Sequence, residues 1–447
     1  MTAAGSADRN DALLAAAALF LALATVWARP EPPLFLGGDT AAYARVAREA
    51  AERPLSRIAE QTLGGAPFYE HPPLAFSLEG LWLRALGPTA ASVRSFARVL
   101  ASLLVLLVFG VARTMAGPRA GALSVLALPV LPGFLFESQN AMLELPLAVT
   151  LALAVSGAIR LVRDPVGGSL LFAAGFAGAA LTKGPPAAAA FLFLGWSAVR
   201  LRAPRRRVLA AGCLALASLL VAVACFEAAR RAEGLEPFFP AYLRAQVLPA
   251  FQSHWRADIA PFFFVRPLTR WYLPGLLALP VAALLLVRRV DGDANRRLIE
   301  LGLVCALVIV VGFLLPPKRA AWYFHPAVFG FAWLIGGSAA TVPRTRADLG
   351  LAGAAAVVGL VFVLGLSDRF TFGRRRVRGE LVAIHELPPP WFPPGTSRTV
   401  AHCGQLGDWH ADNTFQFLWR AHAVPCGEPA SLVFDGQELR PRAPESR

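Results

Sequence analysis

The chain has 447 residues, 56% of them hydrophobic and only 16% charged, with a mean hydropathy of +0.53 and a formal net charge of +14. A soluble domain carries about a quarter of its residues as charged side chains, so this composition excludes an ordinary soluble fold. It also excludes a reading of the positive charge as a nucleic-acid surface; in a membrane protein the question is which side the arginines face.

Runs of Ala, Leu and Val long enough to cross a bilayer recur along the chain and predict about eleven spans of roughly twenty residues. They fall near 11–28, 96–115, 119–136, 143–161, 168–182, 186–200, 208–228, 271–288, 298–315, 325–341 and 348–366. The first span lacks a basic leader and a small-residue cleavage site, so it reads as a retained helix rather than a signal peptide. Arg113, Arg119, Arg160, Arg163, the run from Arg200 to Arg207, Arg288, Arg289, Arg296, Arg297, Arg344 and Arg346 fall in alternate short loops. The positive-inside rule then puts the N-terminus in the cytoplasm and the C-terminus outside the cytoplasmic membrane.

Residues 1–366 thus form a transmembrane domain, with a large first outer loop at 29–95 carrying amphipathic helices and a second loop at 229–270. Residues 367–447 form a polar tail whose segments "RTVAHCG" and "ASLVFDG" read as short strands ended by glycine, which predicts a small α/β domain outside the membrane. Cys403 and Cys426 in that tail are either a disulfide closing a loop of about two dozen residues or two free thiols.

Only two of the 43 basic residues are lysine, Lys183 in "LTKGPP" and Lys318 in "PPKRAAW". Both fall on the outer face, against the orientation signal, as does Arg319. Lysine is a compact ammonium suited to phosphate. The alternative is a pair of lysines snorkelling to the headgroups. In "GGDTAAYARVARE", Asp39 precedes a helical pattern in which Tyr43, Val46, Ala47 and Ala50 share a face. It is either a helix N-cap or a general base. In "PFYEHPPLAF", Glu70 and His71 precede a proline pair that starts a helix and aims them. Glu144 in "AMLELPL" lies within an apolar stretch, where an ionisable residue is a functional candidate. Trp322, Tyr323 and His325 complete the "PPKRAAWYFHP" turn. Two carboxylate motifs and two cationic motifs on one face suit a lipid-linked phosphate substrate whose tail lies in the bilayer.

In this order the motifs "GGDTAAYARVARE", "PFYEHPPLAFSLEGLWLRALG", "AMLELPL", "LTKGP" and "PPKRAAWYFHP" resemble the GT-C glycosyltransferases of the protein-O-mannosyltransferase and lipid A aminoarabinose transferase type, over roughly residues 10 to 340. The resemblance implies a GT-C fold, a polyprenyl-phosphate-linked sugar donor, an extracytoplasmic lipid, protein or glycan acceptor, and inversion at the anomeric carbon. It assigns Asp39, Glu70 and Glu144 to catalysis, Lys183, Lys318 and Arg319 to the donor phosphate, and Tyr43, His71, Tyr323 and His325 to the substrate site. A divalent cation near Glu70 and His71 is a further expectation. A flippase of lipid-linked sugars and a non-catalytic envelope assembly protein are the alternatives; the chain lacks the internal repeats common in transporters.

Overall fold

A computed structural model describes residues 3–28, 38–140, 142–251, 265–287, 293–315, 321–363, 384, 398–404, 408–426, 430, 432–434 and 438–441. It is built almost wholly of helices. In chain order these are α1 (Ala3–Trp27), α2 (Gly38–Ala51), α3 (Leu74–Leu86), α4 (Ala90–Ala116), α5 (Pro118–Val130), α6 (Pro132–Glu137), α7 (Glu144–Arg160), α8 (Pro165–Lys183), α9 (Ala189–Arg200) and α10 (Arg205–Ala232). There follow α11 (Phe238–Tyr242), α12 (Leu248–Phe251), α13 (Val265–Val287), α14 (Asp293–Leu314), α15 (Val328–Ala340), α16 (Arg344–Val363) and, near the C-terminus, α17 (Asp408–Trp419).

Each predicted span falls on a helix, but among the described residues only six helices are long and apolar enough to cross a membrane by themselves: the 10–27 part of α1, α4, α8, α10, α13 and α14. Three of the other spans are interrupted near proline, which lacks the N–H that continues a helix. The predicted span 119–136 breaks at Leu131–Pro132 into α5 and α6. The spans at 186–200 and 325–341 each begin as a tighter 3-10 turn, at Pro185–Ala188 and Ala321–Ala327. Between charged ends, α10 is apolar yet leaves Leu209, Leu216, Leu220 and Val221 exposed, the pattern of a helix that faces lipid. One apolar core runs through α1, α4 to α10 and α13 to α16.

The packing of α7 on α8 brings two distant motifs together. A short turn at 161–164, with the Asp164 side chain accepting from the Gly167 amide, reverses the chain. The two helices then approach so closely that a Cβ on Gly157 would strike the Phe172 amide, and one on Gly175 the Ala154 amide. Antiparallel and of similar length, 17 and 19 residues, they bring the start of α7 beside the end of α8.

The first long loop folds into α2 and α3 joined through a two-stranded hairpin, β1 (Thr62–Leu63) and β2 (Ala66–Pro67). Near the C-terminus four strands, β3 (Thr399–His402), β4 (His422–Pro425), β5 (Leu432–Phe434) and β6 (Leu439–Pro441), form a sheet in the order β4-β3-β5-β6. β3 is parallel to β4 and β5, and β6 is antiparallel to β5. The strands expected in "RTVAHCG" and "ASLVFDG" are β3 and β5. Phe415 and Trp419 of α17 pack with Val400 and Phe434 of the sheet. Cys403 and Cys426 are joined as a disulfide, which decides between the two readings of that pair.

Candidate active site

The α7–α8 hairpin makes an ion pair that sequence spacing could not reveal: Lys183 Nζ meets Glu144 Oε1, 39 residues apart. Both are buried, at 6% and 1% exposure. Bare charges at that depth cost several kcal/mol each, and pairing is what makes the burial tolerable. The Lys183 ammonium also lies over the Tyr323 ring, 4.3 Å from its centroid, and faces Phe313 at 5.8 Å, so both rings add cation–π attraction. α8 ends at Gly184, whose φ of 71° favours glycine. A Cβ there would also strike the Tyr242 hydroxyl, which donates to the Lys183 carbonyl oxygen at 3.3 Å.

Lys183 lies in the wall of a cavity of about 500 Å³ together with Glu70, His71 and Tyr323. The rest of the wall is largely apolar, including Leu151, Leu192, Val308, Ile309 and Phe313. Four predicted site residues from three distant motifs thus meet at one cavity. Tyr43 joins them from behind: its hydroxyl and His71 Nε2 are 2.9 Å apart in a buried hydrogen bond. Burial pushes the Tyr43 hydroxyl well above its ordinary pKa, and Asp39, Glu144, Tyr323 and Glu70 push the same way. The three predicted catalytic carboxylates therefore act electrostatically on one hydroxyl.

Asp39 is in the first turn of α2 rather than before it. There its charge is favourable toward the helix dipole, and with Tyr43 four residues on it shares one helix face. His325 is fully enclosed, with Nδ1 2.5 Å from the Tyr272 hydroxyl and Nε2 3.3 Å from Glu137 Oε1. Lys318 and Arg319 lie outside the described residues. In sequence they fall between Leu315 and Tyr323, both in the cavity wall.

Sequence reading missed two residues. Glu137 is 3% exposed, and neither carboxylate oxygen makes a hydrogen bond within the described residues. It was visible as a second ionisable residue at the end of an apolar run, the criterion that selected Glu144. Tyr242 comes from the second loop, and its only trace in the sequence is Gly184, the glycine it requires. As for a metal, no group of three or more His, Cys, Asp or Glu side chains among the described residues could hold one. Glu70 and His71 alone do not fit a metal centre.

Residues 70–227 of the chain match the family model described as dolichyl-phosphate-mannose-protein mannosyltransferase. Among solved structures the chain resembles ArnT from Cupriavidus metallidurans in the apo state, with a TM-score of 0.67 and 17% identity over 95% of this chain and 86% of that one. The same protein bound to undecaprenyl phosphate matches with a TM-score of 0.66 and 17% identity, over 96% and 87% of the two chains. The oligosaccharyltransferase of Archaeoglobus fulgidus in its apo form matches with a TM-score of 0.55 and 12% identity, over 93% of this chain and 64% of that one. No curated protein matches by sequence. The chain is a polytopic membrane protein with the GT-C glycosyltransferase fold, as the motif order implied.

Proposed function

We propose that this protein transfers a hexosyl or pentosyl unit from a polyprenyl-phosphate donor to an acceptor hydroxyl or amine, at the outer face of the cytoplasmic membrane and with inversion. The observation that carries this reading is a buried lysine in the wall of a cavity that is otherwise mostly apolar. A prenyl chain suits the apolar wall, and a phosphate suits the ammonium. ArnT, whose fold the chain shares, has been solved with undecaprenyl phosphate bound. The outer-face assignment rests on the arginine pattern.

In this mechanism the acceptor oxygen or nitrogen attacks the anomeric carbon from the face opposite the phosphate. The carbon–oxygen bond to the phosphate breaks, and its electron pair leaves on the phosphate oxygen. Asp39 takes the acceptor proton. Lys183, with Lys318 and Arg319, stabilises the growing negative charge on the departing phosphate. Glu144, paired with Lys183, holds it in place before the donor arrives. His71 and Tyr43 fix one another beside Glu70 and orient the sugar. His325, held by the Tyr272 hydroxyl, anchors the turn that carries Tyr323.

The test uses membranes containing the protein and a radiolabelled polyprenyl-phosphate sugar. Release of polyprenyl phosphate with label passing to an acceptor supports the proposal. Movement of intact donor across the membrane without cleavage would instead mark a flippase and sink it.

A further inference from the structure

The helix that carries Asp39 is gripped from its far side by the C-terminal unit. α2 has three packed faces. Tyr43 and Val46 meet Phe68, Phe76, Met142 and Leu143 toward the site. Ala41, Ala44 and Ala47 share a small core with Leu83, Val93 and Phe417 of α17. The third face presents two arginines that are 7% and 9% exposed. Arg45 Nη1 donates to Asp412 Oδ2 at 3.0 Å and to Asn413 Oδ1 at 3.1 Å. Arg48 donates to the carbonyl oxygens of Gln416, at 3.3 Å, and Phe417, and its guanidinium lies 5.8 Å from the centre of the Phe417 ring. At the end of the helix Arg420 returns a bond to Glu52 at 2.8 Å.

Two guanidinium groups so deeply buried on a helix of 14 residues are a costly way to attach a passive appendage. A buried charge is tolerable only where its partners stay in place, so α2 and α17 are bound to move together. At about 1.5 Å per residue, Arg45 lies only about 9 Å along the helix axis from Asp39. A tilt set at one point is therefore felt at the other. An error of about 1 Å in the placing of a reacting group can cost about a hundredfold in rate. The disulfide between Cys403 and Cys426 closes the loop that contains α17 itself, so it fixes the gripping helix within its own unit.

We propose that Arg45 and Arg48 are positioning residues: through them α17 sets the placement of α2 and hence of Asp39, so the C-terminal unit is part of the catalytic apparatus rather than an independent module. This rests on the glycosyltransferase reading for its kinetic consequence, but the mechanical coupling can be tested without it.

The experiment uses the full-length protein and the variants Arg45→Lys, Arg48→Lys and Asp412→Asn. The lysines keep the charge and lose the forked contact. The asparagine keeps an acceptor for the Ala423 amide, which Asp412 now holds at 3.0 Å, and removes the charge that α17 presents to Arg45, leaving the Glu49 carboxylate of α2 at 3.2 Å in place. Hydrogen exchange of α2 should quicken in each variant, and in wild type after the disulfide is reduced, while α7 and α8 keep their protection. Turnover of labelled donor should fall about tenfold or more with its KM unchanged, and undecaprenyl phosphate should bind as it does to wild type, because Lys183 is untouched. Unchanged exchange of α2 would overturn the coupling. Faster exchange with normal turnover, or an equal loss of undecaprenyl phosphate binding, would overturn the positioning role. A wild type that exchanges as described but never cleaves donor would instead count against the proposed function and leave the coupling standing.

Discussion

Two large cavities lie at opposite ends of the α7–α8 hairpin, and their charges are arranged in opposite ways. One, of about 500 Å³, is entered by Lys183 at the end of α8. The other, of about 700 Å³, lies at the turn end, lined by Arg160, Arg163, Asp164 and Arg297 beneath apolar side chains of α4 and α7. At the turn end the charges reach water: Arg160 pairs with Asp164 across one helical turn at 3.2 Å, with 59% and 42% of the two side chains exposed. At the other end Lys183 and Glu144 are sealed from solvent. Exposed arginines record which side of the membrane a loop occupies and contribute little to stability. A sealed pair is retained against a desolvation cost, and that asymmetry is why the first cavity is read as the site and the second is not.

The comparison can be broken most forcefully at Lys183. Lys183→Ala strands Glu144 as a buried charge without a partner, and loss of one member of a buried pair costs about 3–5 kcal/mol. The expected result is a large fall in thermal midpoint together with weaker binding of undecaprenyl phosphate. Lys183→Ala protein as stable as wild type would mean that the pair is exposed in the membrane after all.

Asp39→Asn separates chemistry from fold. The amide cannot accept the acceptor proton at neutral pH, so turnover should fall by about a hundredfold or more. Loss of the favourable first-turn charge should cost only about 0.3–1 kcal/mol. Kinetics and a melting curve on one preparation check both, and near-normal turnover would move the base to Glu70 or Glu144.

Glu79 sharpens the contrast because it is buried without a cation. It lies on α3 in the first long loop, 5% exposed, with one oxygen lacking any hydrogen bond among the described residues. Burial pushes its carboxyl up to about 8 from an ordinary 4.5. The folded chain therefore holds a proton that the unfolded chain releases, and stability should fall as pH rises from 4.5 to about 8, then level off. Glu79→Gln should raise the thermal midpoint by a few degrees at pH 9, with the gain vanishing near pH 4.5. A gain that does not vary with pH would rule out titration of Glu79 as its source.

The smallest effect belongs to the turn end. Arg160→Ala should change stability by less than about 1 kcal/mol and leave donor turnover as it was. An effect as large as that of Lys183→Ala would remove the distinction between the two cavities.

The sequence by itself determined the chemistry of class and placement. Apolar runs fixed a polytopic membrane protein, because hydrocarbon admits a backbone only when its hydrogen bonds are satisfied within the segment. Motif order pointed to the GT-C fold, and Asp39, Glu70, His71, Glu144, Lys183 and Tyr323 stood out as polar residues at the ends of apolar spans or in the loops beside them. The pairing was settled only in three dimensions. Lys183 finds Glu144 because glycines let α7 and α8 close on each other, and His71 finds Tyr43 across 28 residues. Glu137 and Tyr242 join the site from α6 and the second loop, and α17 reaches back across 367 residues to hold Arg45. Periodicity reports which face of an element is apolar, since that depends on residues a turn apart. Which charge meets which depends on how those faces stack, and only the packed helices decide it.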